Sequence, residues 1–212
     1  MRALIEFRSS LTCIALAALA PLAHATFITS TSQSAFLAAA TSSGTDSFDS
    51  LAVGELSSLV VRSAGSFSYT ASSVGGLFSM GTPDRWLSND DRRDPISFAG
   101  FGQTVSAIGA TLFGTNESGA ALTDQTIVVT VTDVQLNQSI TTITLNSTSS
   151  FFGVYSTVPL LSMTVAMDSS NLLAAWPTVN NLVLAVPEPA TYATFLAGLM
   201  AIGAALRRRA SN

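Results

Sequence analysis

The stretch QTIVVTVTDVQLNQSITTITL, residues 125–145, decides the fold. Its first part alternates strictly, so that one face of a strand would carry Ile127, Val129 and Val131. Ser139–Leu145 repeats the alternation, with threonines on one face of the strand and isoleucine and leucine on the other. The residues between the two runs, 133–138, are polar enough to reverse the chain. We therefore predict an antiparallel hairpin, half-buried on one face.

The rest of the chain between its two ends likewise consists of short apolar and Ser/Thr runs separated by Gly, Pro, Asn and Asp. No long helical run separates these segments, which disfavours parallel crossover units. We predict an all-β antiparallel sandwich of jelly-roll type. One short helix, Thr31–Ala40, would precede it, capped by Thr31 or Ser32. The further candidate strands are Thr45–Asp49, Leu56–Arg62, Ser66–Ala71, Gly76–Met80, Pro95–Phe98, Val105–Phe113, Phe151–Ser156, Leu160–Met167 and Asn181–Val186. Trp176 and Pro177 are interpreted as a turn before the last of these strands.

The N-terminus has the layout of a secretory signal peptide. Two arginines flank its start, Leu11–Leu22 is almost wholly apolar, and Ala23 and Ala25 are small residues at the cleavage-determining positions. A first transmembrane helix is the alternative, but Pro21 interrupts a run that is already short for a span. We predict removal of residues 1–25.

The C-terminus combines an apolar segment with a cationic end. Residues 190–206 carry no charge, and Arg207, Arg208 and Arg209 follow directly. As a helix the apolar segment would be about 25 Å long, within the lower tolerance for a membrane span. A buried core helix would have similar spacing, but the arginines favour a membrane anchor with a cytoplasmic stop.

Directly upstream of this anchor stand Pro187, Glu188 and Pro189, which favour an extended segment that an enzyme could grip. The order Pro-Glu-Pro, apolar helix, arginine cluster over residues 186–212 resembles the PEP-CTERM sorting signal of exosortase substrates in Gram-negative bacteria. The resemblance implies that an exosortase-type membrane protease or transpeptidase recognises the three residues, removes the tail, and releases or transfers the protein outside. An unprocessed single-pass anchor is the alternative.

Removal of both ends would leave a body, residues 26–185, without cysteine or histidine, because Cys13 and His24 lie in the predicted signal peptide. Disulfides, His/Cys zinc sites and Ser-His or Cys-His nucleophile pairs are thereby excluded from it. The body has four arginines, no lysine and eleven Asp and Glu, a net charge of −7. This acidic balance argues against nucleic acid as a partner.

The body also carries a series of motifs: SAFLAAA (34–40), SFDSLAVG (47–54), DPISFAGFGQTVSAIGATLFG (94–114), FFGVYSTVPLLSMTV (151–165) and VNNLVLAVPEP (179–189). In this order they resemble PEP-CTERM exported proteins with a jelly-roll body of lectin or carbohydrate-binding type. The last strand of that group often begins Asp-Asn, whereas this chain has Asn180-Asn181. A neutral amide binds calcium less strongly than a carboxylate does, which weakens any calcium site inherited there.

The charge of the body is concentrated in PDRWLSNDDRRDP, residues 83–95. As a functional loop, it could hold calcium through its oxygens and stack Trp86 on a sugar ring; as a structural loop, it would pair its own Asp and Arg in solvent. It lacks the regular spacing of an EF-hand loop. The candidate ligand or calcium residues are Asp49, Asp84, Trp86, Asn89, Asp90, Asp91, Asp94 and Asn180.

A paired carboxylate is the other chemical candidate. Asp46 and Asp49 flank Phe48, and two carboxylates can act together in glycoside hydrolysis, but on a regular strand positions 46 and 49 face opposite sides. We therefore predict no catalytic residue. The expectation is a non-enzymatic protein of the cell surface or exopolysaccharide matrix that binds polysaccharide, with calcium as the one possible cofactor. The alternatives are a glycan hydrolase using a carboxylate pair and a purely structural or adhesive matrix component.

Overall fold

The computed structural model describes residues 26–145, 149–168 and 175–188. The predicted signal peptide with Ala23 and Ala25 lies outside these ranges, as do Pro189, the apolar segment 190–206 and the arginines 207–209. Within the ranges described, no helix is long and apolar enough to cross a membrane.

The described chain forms two antiparallel sheets packed face to face, with one short helix. The elements are β1 (Phe27–Ser30), α1 (Gln33–Ala38), β2 (Ala40–Asp46), β3 (Gly54–Leu56), β4 (Leu59–Ala64), β5 (Phe67–Ser72), β6 (Leu77–Met80), β7 (Trp86–Asn89), β8 (Ile96–Ala99), β9 (Ala107–Thr115), β10 (Ala121–Leu122), β11 (Gln125–Asp133), β12 (Gln138–Leu145), β13 (Ser150–Ser156), β14 (Leu160–Met167) and β15 (Trp176–Pro187).

The larger sheet has the order β1-β13-β9-β15-β7-β6-β3, with β10 paired to β9 and β2 to β15. The smaller sheet has the order β12-β11-β14-β8-β5-β4. From β5 onward the chain passes repeatedly from one sheet to the other, so that neighbours within a sheet are mostly distant in sequence. This confirms the predicted all-β antiparallel sandwich of jelly-roll type.

The predicted hairpin is confirmed, and its register follows from the structure. Gln125 pairs with Leu145 and Thr132 with Gln138, without a register shift between β11 and β12. Ile127, Val129 and Val131 are buried in the core between the sheets. The alternation fixed this register because a slip of one residue would turn all three outward.

The predicted helix is present but shorter than Thr31–Ala40. It spans Gln33–Ala38, and Ser32 is its N-cap, with the Ser32 hydroxyl accepting from the Ala35 N–H at 3.3 Å. Ala40 is instead the first residue of β2, where it pairs with Pro187 at the end of β15. Pairing with β15 therefore overrides the helix propensity of the alanines.

Several predicted strand bounds were wrong. The segment Leu56–Arg62 is divided between β3 and β4, and the segment Thr45–Asp49 ends as a strand at Asp46. Two residues later Phe48 adopts a φ of 63° and turns its ring into the core. A turn therefore separates Asp46 from Asp49.

Two segments that were interpreted as turn or loop are strands. Trp86–Asn89, inside the charged stretch 83–95, is β7 and pairs with both β6 and β15. Trp176 and Pro177 do not form a turn before the last strand, since β15 starts at Trp176 rather than at Asn181. Both errors have consequences for the functional site.

Strand β15 runs through the middle of the larger sheet and changes face at a bulge. The register shifts between Asn180 and Val183, and Asn181 has a φ of 49°. Before the bulge Val179 faces the core, and after it Leu182 does. The outward face of β15 is therefore polar before the bulge and apolar after it.

Candidate functional site

The outer face of the larger sheet is divided into a covered half and an open half. Helix α1 covers the first half with Phe36, whose ring stacks on Tyr155 at 4.7 Å between centroids and meets Phe151 edge-on at 5.4 Å. Gly153 makes room for it, because a Cβ there would lie 2.4 Å from the Phe36 ring. Phe151 and Tyr155 therefore share the outer face of β13, whereas Phe152 is buried in the core on the other face.

The open half is a concave surface that we call the trough. It has a volume of about 320 Å³, at the lower end of the range of ligand pockets. Strands β6, β7, β9 and β15 and the turn after β9 enclose it. The residues that line it are Phe78, Met80, Trp86, Ser88, Asn89, Asp90, Thr115, Asn116, Glu117, Gly119 and Trp176.

Both tryptophans of the chain line the trough, and each is held in place. Trp86 meets Phe113 edge-on, with ring centroids 6.0 Å apart and planes at 87°. The Trp176 indole N–H donates to the backbone oxygen of Asp90 at 3.1 Å. The Arg92 guanidinium lies over the Trp176 ring, 5.8 Å from its centroid. Two fixed, half-buried indoles therefore face one concave surface.

The turn between β9 and β10 forms a wall of the trough. The Asn116 side-chain oxygen accepts from the Ser118 hydroxyl and from the Ala120 N–H, both at 2.8 Å. Gly119 has a φ of 80°, and a Cβ there would lie 2.1 Å from the Met80 sulfur, so only glycine fits. Glu117 lies within this turn and carries a carboxylate to the trough.

The floor of the trough is polar and mostly satisfied. The Thr115 and Thr178 hydroxyls are 2.9 Å apart, and the Ser88 hydroxyl donates to the backbone oxygen of Pro177 at 2.9 Å. The Asn89 amide nitrogen donates to the backbone oxygen of Asp94. Its side-chain oxygen is buried and has no partner among the described residues. Asn89, which lines the trough, thus holds a buried acceptor that the described residues leave unused.

The structure brings three of the sequence-predicted site residues to the trough: Trp86, Asn89 and Asp90. Asp91 and Asp94 instead support the adjoining turn. The Asp91 carboxylate accepts from the Arg93 N–H at 3.0 Å, and the Asp94 carboxylate accepts from the Gly75 N–H at 2.7 Å.

Asp49, Asp84 and Asn180 do not line the trough and instead hold the loop before β7. The Asn180 side-chain amide donates to the Asp84 carboxylate at 3.0 Å, and the Arg85 N–H donates to the Asp49 carboxylate at 2.9 Å. The Arg85 N–H lowers the pKa of Asp49. In the part of the chain that the structure describes, no three acidic, His or Cys side chains converge as metal donors. Calcium binding stays a prediction from the sequence.

Asp46 belongs to a buried network instead of a carboxylate pair. It accepts from Arg62 Nε at 2.8 Å and from the Tyr69 hydroxyl at 2.7 Å, and its other oxygen contacts Arg62 Nη2 at 2.5 Å and accepts from the Phe48 N–H. Burial and the hydrogen bond to Asp46 raise the pKa of Tyr69. Burial lowers the pKa of Arg62, but Asp46 outweighs it and the net shift is upward. This network joins β2 to β4 and β5.

Sequence reasoning missed Trp176, Phe78, Met80, Thr115, Asn116 and Glu117 as members of this surface. For Trp176 a signal was present. Trp176, Thr178 and Asn180 alternate, and this period of two extends the last strand back past Pro177. The others come from strands and a turn that only the sheet order brings together.

A larger cavity, of about 730 Å³, lies where the two ends of the described chain meet. Thr26, Ile28, Pro187 and Glu188 are among its lining residues. Its one aromatic residue, Tyr155, stacks on Phe36 and donates its hydroxyl to the Phe36 backbone oxygen at 2.8 Å. That ring is committed to packing, so the trough is the better candidate site.

A comparison with protein families finds no match, and no curated protein is similar in sequence. Solved structures with a related fold include the CBM22-1 xylan-binding domain from Paenibacillus barcinonensis Xyn10C, with 14% identity and a TM-score of 0.36 over 69% of this chain and 94% of that one. A family 29 carbohydrate-binding module has 8% identity and a TM-score of 0.35 over 80% and 94%. A family 6 carbohydrate-binding module has 11% identity and a TM-score of 0.33 over 61% and 95%. These likenesses do not assign a ligand to this chain.

Proposed function

We propose that this protein is a non-enzymatic glycan-binding protein, and that a short segment of a neutral polysaccharide occupies the trough. The observation that carries the proposal is that both tryptophans of the chain, Trp86 and Trp176, line one concave surface beside a buried polar group that has no partner among the described residues.

The chemistry of the trough suits a sugar chain. The flat apolar faces of sugar rings pack on indole rings, and their hydroxyls need donors and acceptors at the edge of that contact. Asn116 and Glu117 line the trough as polar partners for sugar hydroxyls, and the buried Asn89 side-chain oxygen beside them has no partner among the described residues. An entirely apolar ligand would leave these groups desolvated without partners.

Charge supports a neutral ligand over an anionic one. Asp90 and Glu117 line the trough, whereas Arg92 is engaged over the ring of Trp176. The body as a whole carries a net charge of −7. A polysaccharide of uronic acids or sulfated sugars would meet like charge at the site and around it.

Strand β15 separates the trough from the predicted sorting signal. This strand starts at the trough with Trp176 and ends at Pro187, a distance of about 36 Å at roughly 3.3 Å per residue. The proposal includes export, transient anchoring through residues 190–206, and processing by an exosortase-type enzyme at Pro187-Glu188-Pro189. In this arrangement the trough lies at the end of β15 that is far from the anchor, where an exopolysaccharide matrix has access to it.

Glycan hydrolysis is the second candidate, because two carboxylates, Asp90 and Glu117, line the same trough. Glycosidases use such a pair as acid and base or nucleophile. Release of reducing ends from a bound polysaccharide, abolished in Asp90→Asn and Glu117→Gln, would establish this alternative.

The test uses the full chain from an exporting bacterial host, on a glycan array and in affinity electrophoresis with soluble polysaccharides. We expect selective retardation by neutral glycans, lost in Trp176→Ala and retained in Phe67→Ala, a half-buried aromatic on the other sheet. The array is repeated with calcium and with a chelator, which tests the predicted cofactor. Absence of binding to every glycan would leave the purely structural or adhesive role.

A further inference from the structure

In the described chain β1 and β3 end the main strand order of the larger sheet and β4 and β12 end that of the smaller sheet, and three of these four strands are guarded. Strand β1 has four residues and leads directly into α1, and β3 has three residues and carries Glu55. Strand β4 is covered by β2, whose Asp46 accepts from Arg62 Nε at 2.8 Å and whose Gly44 is so close that a Cβ on it would lie 2.1 Å from the Ala64 backbone oxygen. Short, charged or covered edges are the usual means of preventing strand addition.

The fourth edge, β12, has none of these protections in the described chain. Its sequence, QSITTITL, contains no charged residue and no proline, and its register with β11 has no bulge. Ile140 is 66% exposed on its outer face. Every second residue of an edge strand turns its backbone N–H and C=O away from the neighbouring strand. The eight residues of β12 therefore have backbone groups free to pair with another strand, and their side chains favour β structure.

We propose that β12 is a self-association edge, at which two copies of this chain pair antiparallel around a two-fold axis. A second copy is the occupant that the residues favour over a foreign peptide. The outward residues of β12 and β11, such as Ile140, Thr142 and Thr130, carry no charge that could select an unlike partner. Two acidic bodies can also approach here without bringing carboxylates of these strands face to face.

The pleat restricts the register of this pairing. Residues directly opposite in an antiparallel pair point to the same face of the sheet. A two-fold axis must therefore pass midway between one residue and the same residue of the second copy. An axis at Thr141 pairs residues 138–144 of each copy, with Ile140 opposite Thr142 of the second copy. The two Ile140 side chains then become diagonal neighbours on the outer face and cover each other.

The pair would merge the two smaller sheets into one continuous sheet. The trough lies on the larger sheet and stays open in both copies, so that the assembly presents two troughs. Self-association does not depend on what the trough binds, and either property can fail while the other holds.

The first test is a cross-link at the axis. In the full chain with Cys13 replaced, Thr141→Cys should form a disulfide-linked dimer under mild oxidation, since opposite Cα atoms in such a pair lie within disulfide range. Val61→Cys, 71% exposed on the opposite edge strand of the same sheet, is the control and should stay monomeric. Equal cross-linking of both variants would overturn the proposal.

The second test is reversible association, followed by sedimentation velocity over a series of concentrations. The unaltered chain should show a monomer–dimer equilibrium, and Thr142→Lys should raise the dimer dissociation constant about tenfold or more, because it places two cations beside the axis. Val61→Lys should leave the constant unchanged. A chain that remains monomeric at high concentration, or a dimer insensitive to Thr142→Lys, would contradict pairing through β12.

Discussion

At the scale of single residues, Arg62 is the group on which the burial of the Asp46 carboxylate depends. Asp46 is 5% exposed, and Arg62 supplies the charge that opposes it at 2.5 to 2.8 Å. Removal of one partner of a buried ion pair leaves an uncompensated charge. The pair therefore specifies how β2 sits on β4 and β5.

Arg62→Ala should lower the free energy of unfolding by about 3–5 kcal/mol, because it leaves Asp46 buried without its cation. Urea denaturation followed by circular dichroism measures the change. Arg93→Ala is the control: its side chain is exposed, and we expect a loss within about 0.5 kcal/mol. A similar small loss for both variants would show that Asp46 does not need the pair.

Because of Tyr69, the stability that the network contributes depends on pH in the alkaline range. Its pKa is raised above the ordinary value of 10.0, first by burial and then by its hydrogen bond to Asp46. Because the folded chain holds this proton more tightly than the unfolded chain does, its contribution is complete below pH 10 and declines above it. Tyr69→Phe should cost about 1.5–3 kcal/mol at neutral pH through the lost charged hydrogen bond.

The same variant should also show a shallower fall in stability from pH 9 to 11 than the unaltered chain. Denaturation curves at a series of pH values measure both effects. Parallel pH profiles for the two proteins would be evidence against a tightly held Tyr69 proton.

At the scale of elements, β2 can bridge the two sheets only because Gly44 has no side chain. Gly44→Ala would place a Cβ 2.1 Å from the Ala64 backbone oxygen, and neither backbone can yield cheaply. We expect a loss of about 1–3 kcal/mol by overpacking. Gly102→Ala is the control, because no atom lies within 4 Å of its added Cβ. Thermal unfolding of the two variants measures the difference, and equal midpoints would contradict the close approach.

A strand could be predicted where the residues that determine it lie within its own sequence, and not where it depends on its neighbours in the sheet. The hairpin 125–145 was predicted correctly because alternation within each strand fixes both face and register. Strand β7 was missed because Trp86–Asn89 is short and lies among charged residues, and it becomes a strand only through pairing with β6 and β15. Its neighbours in the sheet could not be read from local sequence.

The start of β15 was missed for two physical reasons. Pro177 was interpreted as a turn residue, although it pairs with Gly114 within the strand. The bulge at Asn180 and Asn181 then shifts the alternation, so the polar part before it and the apolar part after it looked like separate segments. With Trp176 assigned to a turn, one of the two indoles of the trough was lost from the predicted site.

At the scale of the whole molecule, the predicted sorting signal begins inside the folded body. Pro187 is the last residue of β15, and the Glu188 N–H donates to the Ala39 backbone oxygen at 3.1 Å. An enzyme that grips this tripeptide would therefore work directly against the sandwich, at the end of the strand that leads to the trough.

Replacement of Glu188 by Ala should leave the full-length chain in the membrane fraction of an exosortase-containing host, because the tripeptide is the element proposed to be recognised. Immunoblots of membrane and released fractions measure the outcome. Glu55→Ala, which removes an exposed carboxylate on β3, should be processed normally. Unchanged processing of Glu188→Ala would rule out this residue as part of the signal.

The central claim, that the trough binds a neutral polysaccharide, is tested most directly by tryptophan emission. Trp86 and Trp176 are the only tryptophans of the chain and both line the trough, so the emission of the full-length protein reports this surface alone. Titration with a neutral polysaccharide retained on the glycan array should shift or quench the emission saturably, and Asn89→Ala should weaken the response. An emission spectrum unchanged by a glycan that the protein retains would place binding elsewhere and contradict the claim.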